Sequence, residues 1–374
     1  MKKKVLALMM ASAMAFSLAA CGSSDSSSEA SAEETAEATE EATEETAEEE
    51  APAEEAETEE ETVTEDAEEA AGEDSFEVAD LDLSAIDKDI SEIKVGVVMK
   101  SSDEFQNAVV EGAKDAFIEA GGTEANFKNV ASTSESDAMQ QVTAIEDMVA
   151  NQTDILLCSC QEENALKGAL QAAIDAGVQV VMVDTDNESI DGKVTFIGTD
   201  NYAAAYDGAT AFAETLEEGS NVVILRGKLG DVNHESRTSG LQDALEEAGM
   251  NVLEVQDANC ETDKAANIME QFISKYDDID AVMVTSDSMA VGAAQAIKGA
   301  GVEGVKVCGF DGFQSAIQLV ETGEISMIIG QKPYSIGYMG TVCGLGAMAG
   351  NSYEEYINPG IQIIDSSNYE EFLK

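Results

Sequence analysis

Four aspartates stand where side-chain chemistry could be done. Asp184 closes the apolar run "VQVVMVD", Asp287 closes "DAVMVTSD", Asp311 closes "VKVCGFD", and Asp103 comes four residues after "IKVGVVM". A carboxylate at the end of a buried run is costly unless it is hydrogen-bonded or meets a ligand. For Asp184 and Asp311 two readings stand side by side: contact with a ligand, or capping of the helix that follows, which Asp does readily. Covalent chemistry finds little footing. There is no H-E-x-x-H, no G-x-S-x-G and no G-x-x-x-x-G-K-[ST], and His234, the single histidine, rules out a multi-histidine metal site. The expectation is no enzyme: no catalytic residues, no metal and no cofactor. "GLGAMA" (Gly344–Ala349) matches G-x-G-x-x-[GA] only formally, because "PYSIGYMGTVCGLGAMAG" reads as one helix with small residues on its packing face.

The elements that would position these acids are periodic. Besides the runs quoted, "DILLCSC" (154–160), "VTFIG" (194–198), "NVVILRG" (221–227) and "NVLEVQ" (251–256) are short, continuous and rich in β-branched residues, as strands buried on both faces are. Between them lie helix-period sets such as Phe105, Val109, Gly112, Ala113, Ala116, Phe117, or Met139, Val142, Ile145, Val149, often closed by glycine as in "EAGG" and "DAGV". Strand and helix alternate, so the fold class is α/β, a parallel sheet covered by helices. Ligands of such sheets sit beyond the carboxyl ends of the strands, where Asp184, Asp287 and Asp311 fall.

The N-terminus sets the compartment. "MKKK" precedes an apolar run from Val5 to Ala20 that is too short to span a bilayer and reads as a secretory signal, residues 1–20. It ends in "LAAC", which resembles the lipobox of bacterial lipoproteins, making Cys21 the expected lipid-attachment residue. Residues 21–77 carry 25 acidic residues and no Lys or Arg, and so are expected to form a disordered tether. From Val78 onward 51 acidic and 16 basic residues leave a formal charge near −35 with no basic stripe, which argues against nucleic acid as a partner. Cys158, Cys160, Cys260, Cys308 and Cys343 are odd in number; Cys158 and Cys160, two apart on one strand, point the same way and cannot bridge without distorting it. Free thiols are the expectation.

The body resembles the sugar-binding periplasmic proteins of the ribose-binding type, the solute receptors of ABC transporters. The resemblance is carried over residues 92–365 by "VGVVMKSSDEFQNAVVEGAKDAF", "VVMVDTD", "IGTDNYAAAYDGA", "RTSGLQDAL", "VTSDSMAVGAAQAI", "VCGFDG" and "IIGQKPYSIG", in order. It implies a type I periplasmic binding fold: two Rossmann-like lobes joined by a three-strand hinge, with crossovers near Thr199–Asn201 and Gln331–Pro333. The expected lobes are 91–199 with 332–360, and 200–331 with 361–374.

Carried over one position at a time, the resemblance implies a ligand site with departures. Where the family usually has Asn-Pro and two aromatic residues, this chain has "DEFQ": Asp103 replaces the asparagine, Phe105 keeps one ring and Gln106 replaces the other. Asp184 matches an acidic position, but the arginine that often follows it is Thr185. Arg237, Asp311 and Gln331 match, Ser286 takes the place of an amide, Cys260 stands where a stacking ring is common, and His234 lies nearby in a loop at the cleft. Rings grip the C–H face of a sugar and Arg/Asp pairs its hydroxyls, so ribose should not be held in the usual way. The implied protein is a monomeric, extracytoplasmic lipoprotein on the bacterial cell membrane. It would deliver a small neutral sugar, polyol or amino sugar to an ABC permease. The alternative is a receptor of the same fold that presents a sugar-like signal to a membrane sensor.

Overall fold

The computed structural model describes residues 76–132 and 138–373. The signal segment 1–20, Cys21 and the tether up to residue 75 lie outside the described residues. Phe76 and Glu77, which composition groups with the tether, pack on the body: the Phe76 ring lies 6.3 Å from that of Tyr353, and Tyr338 Oη donates to Glu77.

A first set of alternating elements follows: β1 (Val95–Met99), α1 (Glu104–Glu119), β2 (Phe127–Ala131), α2 (Ala138–Ala150), β3 (Ile155–Cys158), α3 (Glu163–Asp175), β4 (Gln179–Val183) and β5 (Thr195–Ile197). The second set is α4 (Asn201–Ala213), β6 (Asn221–Arg226), α5 (Val232–Glu247), β7 (Asn251–Asp257), α6 (Thr262–Lys275), β8 (Ala281–Val284), α7 (Asp287–Ala300), β9 (Lys306–Asp311), α8 (Gln314–Glu321) and β10 (Met327–Gly330). Then α9 (Pro333–Met348) and β11 (Tyr356–Ile357) return to the first set and β12 (Gln362–Asp365) to the second. The sheets run β11-β5-β4-β3-β1-β2 and β12-β10-β9-β8-β6-β7, so the chain passes between lobes three times, after β5, β10 and β11. Among the described residues all strand pairings are parallel except β10 with β12.

Both faces of each sheet are buried, which is why the strands read as unbroken apolar runs. Val95, Val97 and Met99 face one core and Val98 the other; Val223 and Leu225 oppose Val222 and Ile224 in the same way. The polar edge strand β2 and the short strands β10, β11 and β12 were not legible as runs. On α1 the expected stripe is the buried one. On α2 it is so in part: Ile145 is buried and Val142 and Val149 pack half-buried against the core, but Met139 is exposed and Ala138, Gln141, Ala144 and Met148 complete the buried face. Gln141 earns its place inside by donating to Ser159 O (2.8 Å) and accepting from Gln161 N (3.0 Å). Gly121 and Gly177, in "EAGG" and "DAGV", follow α1 and α3 with φ of 98° and 88°, a conformation glycine adopts without penalty.

The two lobes repeat one helix-pairing device. A Cβ on Gly112 of α1 would overlap the Tyr334 carbonyl oxygen of α9, and one on Gly240 of α5 the Tyr202 carbonyl oxygen of α4. Beside each crossing two tyrosines reach across: Tyr334 to Asp115 (3.1 Å) and Tyr338 to Glu119 (2.8 Å), Tyr202 to Asp243 (2.9 Å) and Tyr206 to Glu247 (2.5 Å). Each pair joins a helix that starts at an interlobe crossing to one that starts at the cleft.

Candidate ligand-binding cleft

Between the lobes lies a cavity of about 330 Å³ that brings together every ligand-binding residue expected from the sequence. The first lobe contributes Asp103, Phe105 and Gln106 from the start of α1, and Asp184 from the end of β4. The second contributes His234 and Arg237 from α5, Ser286 before α7 and Asp311 at the end of β9; Gln331 lies on a crossing segment.

Asp184 sits in the left-handed region, φ 62°, and Asp311 has φ 124°. Such backbone costs about 1–3 kcal/mol per residue and persists only where the surroundings impose it. Neither acid caps a helix: the N–H groups at the start of α8 are taken by Asp287 and Glu104, not by Asp311, and no helix directly follows Asp184. Their partners are side chains. Asp184 Oδ2 accepts from Ser159 Oγ (2.7 Å), Gln106 Nε2 (2.9 Å) and Thr185 Oγ1 (3.1 Å), with Lys100 Nζ at 3.2 Å. Burial pulls its pKa up, but the Lys100 ammonium and these hydrogen bonds outweigh it and hold the carboxyl below its usual value. Asp311 Oδ1 accepts from Arg237 Nη1 (2.9 Å) and Gln331 Nε2 (2.7 Å). Arg237 is held by Thr285 O (2.8 Å) and Asn201 Oδ1 (2.7 Å), with its guanidinium 4.0 Å from the Phe310 ring centre. Burial pushes Asp311 up, against the pull of Arg237 and Gln331.

Two other acids do cap helices. Asp103 accepts from Gln106 N (2.9 Å) at the start of α1, and Asp231 accepts from Asn233 N (3.0 Å) and His234 N (3.2 Å) at the start of α5. Both line the cavity, so Asp103 combines the capping and site readings. Phe105 is likewise both cavity wall and core.

His234 is not in a loop, as the sequence suggested, but in the first turn of α5, started by the Asp231 cap. Its Nδ1 lies 3.0 Å from Thr285 Oγ1 and its Nε2 3.1 Å from Cys260 Sγ. Burial, and then the Arg237 charge, lower its pKa to about 3, so the ring is neutral. The five body cysteines are free thiols, and only Cys260 is not buried.

Sequence reasoning took Lys100 only as a charge near the cleft and gave Asp231 and Asn233 no place in the site. Lys100 directly follows the first apolar run, and Asp231 precedes a helix-forming stretch, so position was their available signal. Nothing local announces Asn233, which donates from the second lobe to Thr185 Oγ1 of the first (3.0 Å). A second interlobe bond runs from Gln314 N to Glu104 Oε1 (2.5 Å).

Two α/β lobes, three crossings and a polar interlobe cavity at the strand ends define a two-lobed binding protein. The model of the periplasmic binding protein domain matches residues 95–351, and the chain belongs to that family. It is 29% identical over 282 residues to the D-ribose/D-allose-binding protein of Pseudomonas aeruginosa, covering 73% of this chain and 88% of that one. It is 28% identical over 247 residues to the ribose import binding protein of Bacillus subtilis, covering 66% and 80%. Among solved structures it is similar to an ABC transporter periplasmic solute-binding protein from Actinobacillus succinogenes with bound D-allose: 25% identity, TM-score 0.71, 75% of this chain and 100% of that one.

Proposed function

We propose that the protein is the extracytoplasmic solute-binding component of an ABC importer, taking a small neutral sugar, polyol or amino sugar between its lobes and passing it to the permease. The observation that carries this reading is the pair Asp184 and Asp311, one from each lobe, both buried at strand ends, each beside one cation and both lining the same cavity. Ligand hydroxyls bridging the two acids favour the closed arrangement of the lobes, and the permease reads that arrangement. The cavity is at the small end of the range for ligand sites, about 300–1,000 Å³, as a monosaccharide requires. The relatives named above, which bind or import ribose and allose, support it. Cys21 carries the lipid and residues 21–75 the tether; Cys21→Ser should then move the protein from the membrane to the soluble fraction.

Lys100 and Arg237 are matched by Asp184 and Asp311, and Asp103 and Asp231 add negative charge without an ion pair among the described residues. Anionic sugars should be rejected by like charge. Calorimetric titration with D-allose, D-ribose and myo-inositol, beside glucuronate and ribose 5-phosphate, tests this. Micromolar binding of an anionic sugar with every neutral one inert would overturn it.

A further inference from the structure

We infer that Glu104 is a positioning residue for closure of the lobes: it caps helix α8 of the opposite lobe, so that the free energy of this cap adds to ligand affinity although Glu104 lies outside the cleft cavity. The inference rests on the sugar-binding reading above and deepens it.

The turn after β9 presents three consecutive backbone N–H groups, those of Gly312, Phe313 and Gln314, at the start of α8. The first N–H groups of a helix have no partner within it, and the N-cap residue here, Phe313, carries no side-chain acceptor. Two carboxylates supply what is missing. Asp287, from the same lobe, accepts from Gly312 N and Phe313 N at 2.7 Å each; Glu104, the first residue of α1 in the other lobe, accepts from Gln314 N at 2.5 Å. The Asp287 bonds survive any movement of the lobes, because both partners move together. The Glu104 bond exists only while the lobes are closed, and opening hands the Gln314 N–H to water.

The same two turns carry the ligand site. Asp103 and Phe105 flank Glu104 and line the cleft cavity, and Asp311 and Phe313 do so from the second lobe. Glu104 and Gln314 line not this cavity but one adjoining it, of which Phe105 and Phe313 are also walls. Bringing Phe105 and Phe313 together around a ligand therefore brings Glu104 to the start of α8. A carboxylate there is favoured by the helix dipole as well as by the hydrogen bond. Glu104 is exposed, which keeps its contribution modest, about two- to fivefold in affinity. The other interlobe bond, from Asn233 to Thr185, cannot be isolated in this way, because Asn233 itself lines the cleft cavity.

Backbone amide exchange, read residue by residue by NMR in wild type, Glu104→Gln and Glu104→Ala, tests the cap directly. Saturation with D-allose or D-ribose, whichever binds tighter, should slow exchange at Gln314 most in wild type, less in Glu104→Gln and least in Glu104→Ala. Gly312 and Phe313, held by Asp287, should exchange alike in all three. Stopped-flow kinetics supply a readout that a merely structural role would not split. In Glu104→Ala the sugar should dissociate about two- to fivefold faster with its association rate unchanged, because the cap forms after encounter. Glu104→Gln, which keeps an acceptor without the charge, should fall between. If Gln314 exchanges alike in all three sugar-bound proteins, or if the dissociation rate does not change, the inference falls while sugar binding stands. If wild type binds neither sugar, the sugar reading falls, and exchange at Gln314 in the ligand-free proteins decides the cap by itself: equal rates in wild type and Glu104→Ala would overturn it.

Discussion

Asp287 lies behind Asp311 and holds the turn that follows it: its Oδ2 accepts from Gly312 N and Phe313 N at 2.7 Å each. The buried carboxylate that does the work of a cap is thus Asp287, leaving Asp311 to face the cavity with Arg237 and Gln331. Burial, and then the neighbouring Asp311 charge, push the Asp287 carboxyl well above its usual range.

Asp311→Asn should weaken sugar binding at least tenfold, about 1.4 kcal/mol, because a charge-assisted acceptor becomes a neutral one. Asp311→Ala should also lower apo stability, since it leaves Arg237 buried without its partner. Calorimetry with D-allose and apo melting curves of both variants separate the two effects. Unchanged affinity in Asp311→Asn would show that the carboxylate serves only Arg237.

Asp287 should leave a signature in the pH dependence of stability. Its folded pKa is raised above the unfolded value near 3.8, so its contribution is fully present below that value and is lost as pH rises through the folded pKa. Asp184 works the other way, its lowered pKa adding stability that is lost as pH falls through the folded value. The difference between wild type and Asp287→Asn isolates the first. Denaturant melts from pH 3 upward should show Asp287→Asn gaining on wild type as pH rises, and parallel curves would refute the assignment.

His234 is the only histidine, so its ring resonance can be followed in the intact protein. With a pKa lowered to about 3 in the folded state, the resonance should stay unshifted from pH 8 down to 5. A depressed pKa contributes stability that is present above the unfolded value near 6.5 and lost as pH falls through the folded one. A titration midpoint near 6 would mean that the ring is solvated and not held between Thr285 and Cys260.

Gly337→Ala should be severely destabilising, because the added methyl would overlap the Val109 carbonyl oxygen where α1 and α9 cross. Gly168→Ala is the control: it sits within α3 with nothing within 4 Å of the added atom, and should gain about 0.5–1 kcal/mol. Equal effects of the two substitutions on the melting temperature would remove the close crossing from the account.

The sequence alone determined the α/β class and the positions of most of the buried strands, β10 excepted, since strands covered on both faces must be continuously apolar and the helices between them must carry a periodic stripe. It also located the acids at the strand ends and, through family resemblance, the polar set that meets in the cleft. Tertiary structure decided what each acid does. The run "VTSD" ends in an aspartate just as "GFD" does, yet Asp287 is sealed behind the turn and Asp311 faces the cavity, because the loop after β9 folds its N–H groups back onto α7. Local periodicity put Met139 on the inner face of α2 and missed Gln141, which is accepted inside by hydrogen bonds to Ser159 and Gln161 that lie beyond the helix. The pairing of Lys100 with Asp184, and of Asn233 with Thr185, joins residues far apart in the chain. Such contacts depend on where the sheets and lobes bring the chain together, and that is set by packing across the whole fold rather than by any single segment.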